Sequence, residues 1–275
     1  RIGSVRRCPV GSEAVAASNL VVPSGTLVNT GLIDVKKGSG GGRSLIANLD
    51  NRGTFTVSGL TRLTQTSNGV FNNSGAITFF PTDTLNIAVG TFTNQTGGTL
   101  TGGGLLMLDR LTLAGAGTIG ANVEAFESAI SPGSPVGIIR IDGDYYQDPF
   151  SEVDIDLGGA ASGTGYDRLE VTGEAYLDGG TLSLGLINGY QPGNCEQFTV
   201  LSYGSRQRTF EDIDDDDVDL AGNLRLSSAY TSGGLNLLVS DANTRINVVP
   251  TQLNLAEGGG SQFYRVCLGR KPDAQ

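Results

Sequence analysis

The 275 residues contain no histidine, no tryptophan and a single methionine. Without imidazole the chain cannot build a Ser-His-Asp or Cys-His nucleophile, a histidine-ligated zinc or a proximal haem ligand. Charge is sparse as well: Asp, Glu, Lys and Arg make up 17% of residues, against about a quarter in ordinary domains. A coiled coil needs far more Ala, Glu, Lys and Leu. No apolar run approaches the ~20 residues of a membrane helix, so the sequence predicts no membrane span. With 28 acids against 18 bases and a net charge of −10, nucleic acid and anionic lipid are poor partners. Carboxylate pairs, oxygen-ligated metal or no chemistry at all are what remain.

Cysteine is scarce and scattered. Cys8, Cys195 and Cys267 show no CxxC spacing, which argues against a thiolate metal site. Three cysteines allow one internal bridge and a spare thiol, a bridge between chains, or three unpaired thiols. The N-terminal run Arg1-Ile2-Gly3-Ser4-Val5-Arg6-Arg7 has neither Met nor an apolar segment after it, and reads as a processed end or an internal fragment.

What the chain has in excess is glycine. The 42 Gly and 9 Pro are 51 of 275 residues, well above the usual share. Disorder does not follow, because 38% of residues are apolar and fall in short regular runs. The cause is a repeat. Leu27-Val28-Asn29-Thr30-Gly31, Leu49-Asp50-Asn51-Arg52-Gly53, Phe71-Asn72-Asn73-Ser74-Gly75 and Phe92-Thr93-Asn94-Gln95-Thr96-Gly97 align, each followed by an alternating segment such as Phe55/Val57 or Ile77/Phe79. The glycines 31, 53, 75 and 97 step by 22; the asparagines 29, 51, 73 and 94 step by 22, 22 and 21. Alternation rich in Thr and Val predicts strands, and Asn-x-Gly predicts turns in which Gly supplies positive φ. A unit of 22 residues is too short for a propeller blade and lacks the leucine-rich pattern, but it fits one coil of a parallel β-helix. Stacked coils would let Asn29, Asn51, Asn73 and Asn94 hydrogen-bond along the axis as a ladder. A second reading of the same region is glycosylation, since Asn72-Asn73-Ser74 and Asn94-Gln95-Thr96 match the acceptor motif.

Further along stand Leu113-Ala114-Gly115-Ala116-Gly117-Thr118-Ile119-Gly120, Ile130-Ser131-Pro132-Gly133-Ser134-Pro135, Gly143-Asp144-Tyr145-Tyr146-Gln147, Tyr166-Asp167-Arg168-Leu169-Glu170-Val171 and Gly189-Tyr190-Gln191-Pro192-Gly193. In this order, over roughly residues 20–240, they resemble the passenger region of bacterial autotransporter and related secreted surface proteins. The resemblance implies a right-handed β-helix outside a bacterial cell and no single activity, since such shafts carry adhesins, enzymes and inert spacers alike. Cys195 departs from the pattern, and no segments of an outer-membrane barrel follow. Arg245–Leu268, with Val249-Pro250-Thr251-Gln252-Leu253-Asn254-Leu255-Ala256-Glu257-Gly258-Gly259, is similar to the opening of a Calx-beta or immunoglobulin-like domain, of which only two strands are present.

Chemistry has few candidates. Glu211–Asp219 is the densest charge run, and Asp214, Asp215, Asp216 and Asp217 are weak candidates for Ca²⁺. The spacing is not that of an EF-hand, and the run reads as a solvated loop. Asp34, Asp50, Asp83 and Asp109 share no register, and Asp154/Asp156 read as the outward positions of one strand, so no acid pair for sugar cleavage is expected. Tyr145, Tyr146, Tyr166, Tyr176 and Tyr190 could form a glycan-stacking surface or fill the core. Gly38–Arg43 reads as a bulging loop without a phosphate-binding signature.

The sequence thus predicts an all-β protein: an N-terminal extension (1–13), a right-handed single-stranded parallel β-helix (14–240) and a partial immunoglobulin-like strand segment (241–275). The expected role is a cofactor-free, non-catalytic structural shaft at the bacterial surface. Copies are expected to assemble head to tail, by strand addition through residues 244–275 and an intersubunit Cys8–Cys267 bond. A glycan-binding adhesin is the alternative, and a polysaccharide-active enzyme the third reading.

Overall fold

A computed structural model describes residues 18–36, 42–64 and 69–242. Among them there are strands, turns and bends but no helix. The strands form two sheets, and nearly all neighbours are parallel. The larger sheet, of 14 strands, begins at Ser18–Asn29 and continues through Arg43–Asn51, Thr84–Asn94 and Leu105–Gly115 to Ser205–Thr209 and Asp212–Asp217. The smaller, of 10 strands, runs from Leu32–Val35 through Thr54–Val57, Ala76–Phe79, Thr99–Thr101, Gly117–Ile119, Ile138–Ile141 and Arg168–Val171 to Gln197–Ser202. The chain alternates between the two, so each circuit lays its strands beside those of the circuit before.

Register follows the sequence period. Ile33 pairs with Phe55, Phe55 with Ile77 and Ile77 with Leu100, then Leu100 with Ile119 and Ile119 with Ile141. In the larger sheet Leu27, Leu49, Phe71, Phe92, Leu113, Ile130, Val153, Leu182 and Ile213 form one continuous column of partners. From Leu49 to Leu182 its members are buried, and the Phe71 and Phe92 rings stack with centroids 4.7 Å apart. Alternation explains the column: every second residue faces inward, and parallel pairing puts like on like. A one-residue slip would turn the whole apolar set outward, so burial itself fixes the register.

The circuits are not uniform. Ile141 pairs with Val171 and Leu169 with Leu201, spans of 30 and 32 residues where the early circuits use 22. The additional residues lie between strands, at 158–167 and 187–196. The stack ends differently from how it begins. Gly234–Asp241 pairs antiparallel with Gln197–Ser202 on one side and with Leu224–Tyr230 on the other, so a hairpin closes the smaller sheet. The acidic run expected as a loop contains a strand, Asp212–Asp217, which among the described residues pairs only with Thr181–Leu186 and so forms an edge. Its carboxylates face solvent, and charge on an edge strand repels a further strand. Residues 1–13 and 244–275 lie outside the described residues, as do the Calx-beta-like opening and Gly38 to Gly41.

Candidate functional site

The most ordered polar array is a line of asparagines. Asn29 Nδ2 donates to Asn51 Oδ1 (2.7 Å), Asn51 Nδ2 to Asn73 Oδ1 (2.7 Å) and Asn73 Nδ2 to Asn94 Oδ1 (2.8 Å). Each amide also reaches a backbone carbonyl one circuit on: Asn29 to Thr54 O, Asn51 to Ala76 O, Asn73 to Thr99 O and Asn94 to Ala116 O. All four side chains are buried. Every Asn is the last inward position of its strand and opens a turn, so the repeat places the same amide at the same depth in each circuit. The chain of bonds satisfies groups whose burial would otherwise be costly. Asn94, the acceptor of its glycosylation motif, has its amide committed to Gly98 O and Ala116 O and is shut inside the fold.

The turn glycines serve a different purpose from the one the sequence predicts. Gly31, Gly53 and Gly75 do not have positive φ. Gly53 and Gly75 are required by close approach: a Cβ on Gly53 would stand 2.2 Å from Gly31 O, and one on Gly75 2.1 Å from Gly53 O. Gly97 leaves this column. It has φ +90° and open space around it, while Gly98 sits against Asn73 O, and Thr99 N donates to Gly75 O as Ala76 N does to Gly53 O. The fourth unit is thus shifted by one residue.

The carboxylates are dispersed among structural tasks. Asp34 pairs with Lys36, Asp50 with Arg52, and Asp109 with Arg62 and Arg110. Asp83 accepts the backbone N–H of Gly59 and Phe80. Asp154 accepts from Ser131 Oγ, and Asp156 is raised above the usual carboxylate range by burial and by Asp154. In the acidic strand Asp216 N donates to Asp214 Oδ1. Among the described residues no group of three or more Asp, Glu or Cys side chains could hold a metal ion.

Two buried acids that sequence reasoning passed over hold loops in place. Asp148 accepts from Ser151 Oγ (2.6 Å) and from the N–H of Glu127 and Phe150. Asp167 accepts from Gly137 N (2.7 Å) and Asp156 N (3.0 Å), tying the 158–167 excursion to the stack. Burial pushes the Asp167 carboxyl up to about 7; the two N–H donors oppose the rise, and the Asp156 and Asp154 charges add to it. Asp148 sits in the turn between Tyr145–Gln147 and Glu152–Leu157, and Asp167, within the Tyr166–Val171 motif, sits where the 158–167 excursion rejoins the strands.

The tyrosines divide. Tyr145 and Tyr166 are core residues. Tyr145 donates to Gln147 Oε1, whose amide reaches Ser151 O and Gly179 O, so this buried polar pair is satisfied. Tyr190 donates to Glu196, and burial with that contact raises its phenol. On the outer face Phe126, Tyr146 and Tyr176 form a stack with centroids 5.7 and 5.5 Å apart, capped by the Arg208 guanidinium. Stacking uses up the ring faces, leaving edges where a sugar platform needs open faces.

Strain gathers at one corner. Val89, Arg110 and Glu127, all with positive φ, stack in successive circuits beside a shallow open hollow floored by Gly90, Thr91, Thr112 and Ala129. A left-handed β-branched residue such as Val89 costs about 1–3 kcal/mol. The hollow combines one guanidinium and one carboxylate, too few groups for acid–base or metal chemistry.

Cys195 is disulfide-bonded. The only other cysteines, Cys8 and Cys267, lie outside the described residues. The expected intersubunit Cys8–Cys267 bond therefore lies outside the described residues.

No family model matches the chain, and no curated protein matches it. Among solved structures, the crystal structure of the Haemophilus influenzae Hap adhesin is similar at 15% identity and a TM-score of 0.45. The match covers 81% of this chain and 24% of the adhesin chain, so this chain spans about a quarter of that protein's length.

Proposed function

We propose that the chain is a non-catalytic structural shaft of a bacterial surface or secreted protein, built as a single right-handed parallel β-helix. The observation that carries this reading is the coil-to-coil registration of the core column from Leu27 to Ile213, with the asparagine ladder beside it. Parallel crossovers are right-handed in nearly every known case. The described acids serve as caps, latches and surface ion pairs rather than converging on a groove. A disulfide at Cys195 fits an oxidising, extracellular setting.

Eight strand steps in the larger sheet, at about 4.8 Å each, make a shaft of about 38 Å. Self-association belongs to the same proposal. Among the described residues the first circuit presents strands without an outer partner, and Leu20, Val21, Val28 and Leu32 are exposed on it. At the other end the acidic strand and the hairpin oppose stacking of coil on coil. Strand addition by residues 244–275 of a neighbour is therefore the route of head-to-tail growth.

A panel of polysaccharides tests the reading. We expect no reducing-end release and no saturable binding; release or saturable binding would overturn it. Light scattering across a concentration series reads the assembly, and a constant monomer mass would remove self-association from the proposal.

A further inference from the structure

We infer that Asn72 is an acceptor for an N-linked hexose, taken from a nucleoside-diphosphate sugar, on the outer flank of the larger sheet. The inference does not rest on the shaft reading, because it needs only the parity of two neighbouring strands.

The chain holds two Asn-x-Ser/Thr motifs, Asn72-Asn73-Ser74 and Asn94-Gln95-Thr96. They differ in phase against the coil. In the second motif the acceptor is itself a ladder residue, whereas in the first the ladder residue is the middle one, Asn73. Val70–Asn73 pairs with Thr84–Asn94 so that Asn72 lies beside Thr93, and Asn73 beside Asn94. Successive side chains of a strand point to opposite faces, so Asn73 and Asn94 face the core while Asn72 and Thr93 face out. Burial follows the parity: Asn73 is 0% exposed and Asn94 3%, but Asn72 is only half-buried.

Bonding separates the two acceptors in the same way. Asn94 Nδ2 donates to Gly98 O (3.2 Å) and Ala116 O (3.3 Å), which uses both of its protons. A sugar on that nitrogen would remove one donor and force a hexose into a packed interior. The Asn72 amide has no hydrogen-bond partner among the described residues. Its neighbours along the outer column are Asp50, Thr93 and Ala114. Asp50 is engaged by Arg52 (2.6 Å), and the other two side chains are short. Ser74, whose hydroxyl completes the motif, is exposed in the turn, and its N–H donates to Asn51 O (2.9 Å). A hexose at Asn72 therefore projects into solvent and displaces no bond.

In the transfer, Asn72 Nδ2 forms a bond to the anomeric carbon of the sugar, and the bond from that carbon to the diphosphate oxygen breaks. The electron pair leaves with the nucleoside diphosphate, and the amide gives up one proton. Nothing is oxidised or reduced. The product carries a bulky, hydrated group on the flank of the stack.

The test is co-expression of the full chain with a bacterial N-glycosyltransferase that uses UDP-glucose. The soluble, folded fraction is cut before Asp, which gives the peptide 50–82 with Asn72 and the peptide 83–108 with Asn94. We expect the mass of one hexose on 50–82 and none on 83–108, and the same melting temperature with and without the sugar. Asn72→Gln should abolish the added mass. Ser74→Ala, a change at an exposed turn position, should do the same and serves if Asn72→Gln fails to fold. An unmodified 50–82, a hexose on 83–108 in folded protein, or a melting temperature lowered by the sugar would each overturn the assignment. None of these readouts reports on assembly or polysaccharide binding, so the result stands apart from that of the shaft.

Discussion

Replacing Asn51 and Asn73 by Leu, singly and together, tests whether the asparagines act as one bonded line. In Asn51→Leu two ladder amides lose a partner: Asn29 Nδ2 keeps only Thr54 O and Asn73 Oδ1 loses its donor, while Ala76 O gives up a longer bond of 3.3 Å. In Asn73→Leu the losers are Asn51 Nδ2, which keeps Ala76 O, and Asn94 Oδ1. A buried polar group stripped of its partner costs about 1–3 kcal/mol, so each single variant should lose about that much. In the double variant the bond between positions 51 and 73 disappears with both of its ends. Of the ladder amides only Asn29 Nδ2 and Asn94 Oδ1 are then deprived, two where the single variants together deprive four; the lost bonds to Ala76 O and Thr99 O simply add. The double variant should therefore cost about as much as one single, giving a coupling energy of about 1–3 kcal/mol. Urea denaturation followed by far-ultraviolet circular dichroism measures all three, and the chain has no Trp to serve as a fluorescence probe. Strict additivity, or an unchanged midpoint for Asn51→Leu, would refute the reasoning.

Gly53→Ala should destabilise by several kcal/mol, because its Cβ would stand 2.2 Å from a backbone oxygen, whereas Gly31→Ala meets nothing and should be neutral or gain about 0.4–1 kcal/mol in the same titration. Asp167 titrates near 7 folded and near the ordinary 3.8 unfolded, so the folded form holds the proton more tightly between those values. Its contribution is complete below about pH 4 and is lost as pH rises through about 7, by at most about 4 kcal/mol; Asp167→Asn should flatten that slope, and an unchanged pH profile of the melting temperature would count against it. Neutralising the acidic edge with Asp214→Asn, Asp215→Asn and Asp216→Asn should speed aggregation, read by light scattering, if those charges guard an open strand. A chelator should leave the melting temperature unaltered; a marked fall would restore the calcium reading of Asp214 to Asp217.

The repeat was legible because stacking demands identity. An amide can continue the ladder only beside another amide, so Asn29, Asn51 and Asn73 recur at the spacing of the coil. Apolar alternation was legible for the same reason at Phe55, Ile77 and Phe79. The slip from Gly97 to Gly98 was hidden, since a glycine stands at both positions and only the pairing of Thr99 with Ala76 separates them. The acidic strand was misread as a loop because composition reports solvation and says nothing about edges; an edge strand is as wet as a loop. Asp148 and Asp167 escaped notice because a latch needs a single carboxylate near two amide protons that are distant in sequence. The division of the tyrosines into core and outer stack follows strand parity, as with Tyr145 inward and Tyr146 outward, yet parity alone does not reveal that neighbouring rings cover each other.

Between Leu157 and Arg168 the chain leaves its strands for ten residues, and Ile138–Ile141 still meets Arg168–Val171 without a break in pairing. The larger sheet also carries on across the same interval, with Glu152–Leu157 facing Thr181–Leu186 residue for residue. The framework thus behaves like a bound ledger whose pages stay aligned whatever is tucked between them. Foreign peptides spliced into that excursion, clear of Asp167, would inherit a rigid mount and a known orientation, which makes this corner a natural place to display an epitope.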